Sequence, residues 1–158
     1  SAQQRTLTGD YARVMNHTED TVRRPGDPLP VPAKELVARA NARVRTLSLD
    51  EAKELVDDPG HLFVDIRDPR EWEANGIIPG AFRAPRGMLE FWVDPESPYY
   101  KPALDDGRTL VLYCGSAWRS ALSTAALHDM GRTDVAHLEG GFSAWARAGL
   151  PTEDYRAS

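Results

Sequence analysis

Residues 108–114, RTLVLYC, set the first constraint on the fold. A strand exposed on one side alternates apolar and polar residues. Here every position from Leu110 to Cys114 is apolar or aromatic, so both faces of the strand need cover. Strands buried on both faces belong to parallel sheets with helices above and below. The chain supplies both kinds of element in turn: HLFVDIR (61–67), AFRAP (81–85) and DVAHLEG (134–140) read as further short strands. Helices are expected within RTLSLDEAKELVDD (45–58), where Ser48 and Glu51 have capping-box spacing, and within DPREWEAN (68–75), entered through Asp68 and Pro69 and halted at Gly76. RGMLEFWV (86–93), residues 119–130 and GFSAWARAGL (141–150) complete the set. The fold class is therefore α/β, and in such sheets the working site lies at the carboxyl ends of the strands.

Three stretches are expected along the chain. Residues 1–45 form an N-terminal extension, with a polar arm over 1–31 and then a helix near 32–44, where Leu36, Val37, Ala40 and Val44 fall at helical spacing. The main domain covers 46–152, and 153–158 form a tail. The extension is expected to cap the core, or else to hold a partner or a second copy of the chain as a homodimer.

The cysteine ending the first strand is the only one in 158 residues. One cysteine makes neither an internal disulfide nor a Cys-rich zinc site, so packing must hold the fold. Charge is unevenly spread, with eight Lys/Arg against five Asp/Glu over 1–45 and eleven against nineteen over 46–158. An acidic domain lacks the basic footprint of a nucleic-acid binder. No apolar run approaches the roughly 20 residues of a membrane helix, and no apolar leader follows Ser1, so a cytoplasmic location is expected.

Cys114 ends its strand where a parallel sheet places its site. Gly115, Ser116 and Ala117 are small enough to let the backbone curl with several N–H groups inward, and a helix begins near Arg119. Such a nest, reinforced by the positive end of the helix, attracts an anion, either a thiolate or a substrate oxyanion. A thiol of ordinary pKa, about 8.5, is only about 3% thiolate at pH 7, and a drop of about two units raises that to roughly 75%. Arg119 adds a permanent charge with paired donors. Position alone leaves a second reading open, in which Cys114 is a core residue closing a strand.

CGSAWRS (114–120) resembles the active-site loop of the rhodanese family, in which a catalytic cysteine is followed by four residues and then by arginine and serine. VDIRDPREWEANGIIPGAF (64–82) resembles the family's amino-terminal signature and LEGGFSAWARAGLP (138–151) its carboxy-terminal one, and the three lie in the family's order over about 46–152. The resemblance implies a three-layer fold with a five-stranded, mostly parallel central sheet and helices on both faces. It implies transfer of sulfane sulfur from thiosulfate or a similar small donor to a thiophilic acceptor, which is cyanide, a thiol or a protein. The sulfur would be carried as a persulfide on Cys114, with ping-pong kinetics and without metal or organic cofactor. By the same resemblance Cys114 is the nucleophile. The amides of Gly115, Ser116, Ala117, Trp118 and Arg119 cradle the transferred sulfur, and Arg119 also steadies the loop and attracts an anionic donor. Asp65 and Arg67 are expected to brace the site by hydrogen bonds and by ion pairing with Glu71 or the loop, and Glu71 and Ser120 to be supporting residues.

Two residues depart from the family pattern. Ile77 stands where the amino-terminal signature has a histidine, a change expected to bear on packing. Trp118 is bulky for the loop and is expected either at the pocket mouth or packed on a neighbouring helix. Four residues separate Cys114 from Arg119, against five in the related dual-specificity phosphatases, whose wider cradle fits phosphate; phosphatase or arsenate reductase activity therefore ranks below sulfur transfer. A non-enzymatic persulfide carrier or regulatory binding module is the alternative from another class. Without a second cysteine, sulfur on Cys114 must leave to an external acceptor. His17, His61, His128 and His137 are scattered without metal-ligand spacing and read as surface or packing residues, while Trp72, Phe142 and Trp145 read as core.

Overall fold

A computed structural model describes residues 22–157. The chain divides between Pro32 and Ala33 into two units. Of the first, residues 22–32 hold a turn in which the Asp27 N–H donates to the Arg24 carbonyl at 3.0 Å and the Arg24 N–H to the Asp27 carboxylate at 3.0 Å. Most of the expected arm, with His17, lies outside the described residues.

The second unit contains six α-helices and five strands among the described residues: α1 (Ala33–Asn41), β1 (Arg45–Leu47), α2 (Leu49–Leu55), β2 (His61–Asp65), α3 (Pro69–Asn75), β3 (Phe82–Arg83), α4 (Leu89–Val93), β4 (Thr109–Tyr113), α5 (Trp118–Asp129), β5 (Val135–Leu138) and α6 (Gly141–Arg147). The strands form one sheet in the order β1-β5-β4-β2-β3, and every pair is parallel. The chain thus reverses direction of travel across the sheet beside β4, and the end of β4 carries Cys114. Among the described residues no helix is long and apolar enough to cross a membrane.

Each face of the sheet is packed, as the all-apolar β4 requires. Leu110 and Leu112 join Leu62 and Val64 beneath Leu89, Val93 and Leu127 of α4 and α5. The alternate positions Val111 and Tyr113 join Phe63, Ala136 and Leu138 against Ala52, Phe142 and Trp145 of α2 and α6. The helices begin as their caps dictate: Ser48 and Glu51 close a reciprocal capping box on α2, and Asp68 and Glu71 close another on α3, with Pro69 in its first turn.

Two differences from the expected elements have physical causes. β1 was not expected as a strand: Arg45 and Thr46 are exposed, three residues are too few to show a period, and the strand exists because β5 offers it an edge, pairing Thr46 with His137 and Leu47 with Leu138. The helix expected at 86–93 is a 3₁₀ turn over Arg86–Met88 followed by the short α4. α1 lies on α5 through Val37, Ala40 and Ala121, and Arg43 bonds the Ala125 carbonyl at 3.1 Å and pairs with Asp129. At the other end of the chain Ile77 and Glu153 form a two-bond antiparallel bridge, each N–H donating to the other's carbonyl at 2.9 Å. Ile77 is fully buried, so the position occupied by histidine in the family is a packing position here.

Candidate active site

β4 delivers Cys114 to the face that carries Leu110 and Leu112, because side chains two apart along a strand share a face. The side chain therefore points into the α4–α5 layer and is 1% exposed. Gly115, Ser116 and Ala117 then turn the chain into α5. Ala117, just before α5, takes a left-handed conformation with φ 73°, which costs an L-residue roughly 1–2 kcal/mol and is held there by what surrounds it.

Cys114 and Gly115, where the turn begins, are held by the start of α6. The Phe142 N–H donates to the Cys114 carbonyl at 2.8 Å and the Ser143 N–H to the Gly115 carbonyl at 3.0 Å. A Cβ on Gly141, at φ 64°, would stand 2.6 Å from the Cys114 oxygen and 2.7 Å from the Gly115 oxygen. The glycine pair in LEGGFSAW thus lets α6 close against the loop. With the loop carbonyls turned toward α6, the N–H groups of residues 115–119 have no backbone carbonyl acceptor among the described residues. The N–H that reaches the sulfur belongs to Ser120, at 3.4 Å, one residue beyond the set expected to cradle it. Ser116 and Trp118 are exposed, Trp118 by about half, at 52%.

Charge is arranged in two pairs. Arg119 places Nη1 and Nη2 on the two oxygens of Glu71, at 2.8 and 2.9 Å. The Arg119 bonds lead the causes that hold the Glu71 carboxyl down at about 2, and the Asp68 N–H, which donates to it at 2.9 Å, also contributes. Arg119 is in turn held well above its ordinary value, chiefly by Glu71, with the Cys114 sulfur adding to the effect. The fork of Arg119 is thus occupied by Glu71 rather than open toward a substrate. Asp65 and Arg67 pair with each other instead of with Glu71: Arg67 Nη2 meets Asp65 Oδ2 at 2.8 Å and Nε meets Oδ1 at 3.1 Å, both residues being buried. Arg67 also bonds the Gly76 carbonyl at 2.7 Å and lies over the Phe142 ring at 4.1 Å. It thereby joins the end of β2, the end of α3 and α6, the helix packed against the loop.

Ser120, expected only as a supporting residue, contacts Cys114 a second time, through its hydroxyl at 3.6 Å. That hydroxyl lies 2.9 Å from His137 Nδ1. His137 was grouped with the scattered histidines, and the structure buries it in this contact. The signal in the sequence was its place inside VAHL: an imidazole in a strand covered on both faces must be buried and needs bonding partners. An open cleft of about 460 Å³ lies beside Gly115, lined among others by Glu71, Asn75, Ser143 and Arg147.

A family model for the rhodanese-like domain matches residues 48–148. A sulfurtransferase of Allochromatium vinosum is 37% identical over 100 residues, covering 63% of this chain and 85% of the relative. The probable adenylyltransferase/sulfurtransferase MoeZ of Mycobacterium tuberculosis is 34% identical over 111 residues, which is 70% of this chain but only 26% of that protein. Among solved structures, a protein from Rhodopseudomonas palustris described as of unknown function and a possible tyrosine phosphatase superposes with a TM-score of 0.78. It is 44% identical, with 83% of this chain and all of that one covered.

Proposed function

The chain belongs to the rhodanese-like domain family, and on that premise we propose that it is a sulfurtransferase carrying sulfane sulfur as a persulfide on Cys114. In the first half-reaction the Cys114 thiolate attacks the outer sulfur of a small donor such as thiosulfate. The S–S bond of the donor breaks, sulfite leaves with the bonding pair, and the enzyme holds Cys–S–S⁻. In the second, a thiophilic acceptor such as cyanide, a thiol or a protein thiolate attacks that outer sulfur, and Cys114 departs again as thiolate.

The observation that supports this reading best is the loop itself. Four residues link Cys114 to Arg119, their amides have no backbone carbonyl acceptor among the described residues, and the Ser120 N–H lies 3.4 Å from the sulfur. A ring of that size suits one added sulfur atom with its negative charge. Sulfur must leave to a molecule other than this chain, which has a single cysteine. A phosphate-ester reading has in its favour the Rhodopseudomonas palustris relative, and against it the short loop.

Thiosulfate alone is expected to raise the intact mass by one sulfur, roughly 32 Da, and cyanide is then expected to remove it as thiocyanate. Cys114→Ala should do neither. Thiocyanate formation surviving in Cys114→Ala would refute the site, and hydrolysis of p-nitrophenyl phosphate without sulfur loading would favour the phosphatase reading.

A further inference from the structure

A chain of hydrogen bonds leads from the Cys114 sulfur to the surface. The Ser120 hydroxyl is 3.6 Å from the sulfur and 2.9 Å from His137 Nδ1, and His137 Nε2 is 2.8 Å from Asn41 Oδ1 and 3.2 Å from Thr46 Oγ1. Ser120 and His137 are buried, whereas Asn41 and Thr46 are exposed. Four elements each contribute one residue: α5, β5, α1 and β1. A hydroxyl and an imidazole cost free energy in a core unless they are bonded, and here each has a partner on both sides, which fixes its orientation.

We propose that His137 is a positioning residue for Cys114, acting through the Ser120 hydroxyl and set in turn by Asn41 and Thr46. The proposal rests on the reading of Cys114 as the nucleophile.

Counting protons along the chain explains how this would work. Burial pushes the His137 imidazole down to about 4, so it is neutral at pH 7 and carries one proton. With Asn41 Oδ1 as acceptor that proton sits on Nε2, and Nδ1 takes the Ser120 O–H. The Ser120 oxygen then accepts the thiol S–H. When the thiol ionises, the same chain runs the other way. The sulfur's proton passes to Ser120, the hydroxyl proton of Ser120 to Nδ1, and the Nε2 proton to solvent at the exposed end, where Thr46 turns its O–H to Nε2 and Asn41 its amide N–H. One proton leaves and the imidazole stays neutral. The sulfur anion gains the Ser120 O–H beside the Ser120 N–H it already had. The charged groups facing the sulfur are Arg119 and, behind it, Glu71; burial alone accounts for the shift of the imidazole.

The test is the rate of alkylation of Cys114 by iodoacetamide at neutral pH, followed by intact mass, with the rate repeated across pH. Loss of one hydrogen bond to a charged sulfur should slow the reaction about tenfold in Ser120→Ala and His137→Phe and move its rise to higher pH. His137→Asn, whose amide reaches Ser120 from near the Nδ1 position, should return the rate to within about threefold of the parent. Wild-type rates in His137→Phe would overturn the proposal, and so would a His137→Asn as slow as His137→Phe, since packing alone would then be at work. If His137→Phe does not fold, Asn41→Ala and Thr46→Val decide at the exposed end: slowing of roughly two- to threefold supports the proposal, and no change rejects it. Alkylation needs only a thiolate, so a failure of thiosulfate loading would count against the sulfurtransferase reading and leave this measurement standing.

Discussion

Arg119 and Glu71 are joined by two charge-assisted hydrogen bonds, at 2.8 and 2.9 Å, that tie the first turn of α5 to the first turn of α3. Glu71 also caps α3 through the Asp68 N–H, so one carboxylate orders both the loop that follows Cys114 and the helix that follows β2.

The Glu71 carboxyl titrates at about 2 in the folded chain against an ordinary 4.5, a depressed value, so the stabilisation it gives is complete above about pH 4.5 and is lost as pH falls from there through 2. The pair is about one-third exposed, and after screening its worth is about 1 kcal/mol. Urea unfolding at pH 7 and pH 3 is expected to show this loss in the wild type and little of it in Glu71→Gln. Equal pH dependence in the two proteins would remove Glu71 from the account.

Asp65 and Arg67 form a buried pair, and removing one partner leaves the other charged without compensation. Asp65→Asn or Arg67→Met should each cost about 3–5 kcal/mol in chemical denaturation, whereas the double change Asp65→Leu with Arg67→Met should recover most of it. A double variant no more stable than the singles would mean that the Gly76 and Phe142 contacts of Arg67, and not its charge pairing, dominate.

Gly141→Ala should unfold the site from below. The added methyl would lie within 2.7 Å of two loop oxygens at a left-handed φ, and a loss of at least about 2 kcal/mol in stability is expected, together with loss of sulfur loading. Thermal unfolding and intact mass after thiosulfate measure the two effects. Full loading in a destabilised Gly141→Ala would uncouple α6 from the loop.

Loop length is open to a direct trial. Inserting one glycine after Ser116 gives five residues between Cys114 and the arginine, and displacement of the sulfur cradle by an ångström or so should lower the loading rate about 100-fold. A rate within threefold of wild type would show that ring size does not select the sulfur.

Most of the sheet could be read from the chain because β4 is apolar on both alternations and β2 and β5 are short runs rich in apolar residues, a pattern that admits few folds. β1 was hidden: its two exposed residues carry no burial signal, and its register is set by β5, with each pair 91 residues apart in sequence. The site divided in the same way. Cys114 and its loop were legible through local spacing, and the small residues 115–117 signalled a tight turn, but the pairing of Glu71 with Arg119 was not legible. Contacts between separate elements were not legible: the bond of Arg67 to the Gly76 carbonyl, the seating of Gly141 under two carbonyls and the bond between Ser120 and His137. In the last case two helices and two strands meet, and no spacing along the chain records that meeting.

The bridge between Ile77 and Glu153 has a consequence for the durability of the folded chain. Ile77 is fully buried, and its N–H and C=O both depend on Glu153, a residue that follows α6. Displacement of Glu153 would leave both of these backbone groups unpaired, at about 1–3 kcal/mol each. The adjoining Gly76 carbonyl anchors Arg67, so displacement of the segment around Glu153 would loosen the ion pair beneath the reaction centre. Loosening of this bridge and disturbance of the reaction centre are thereby one event.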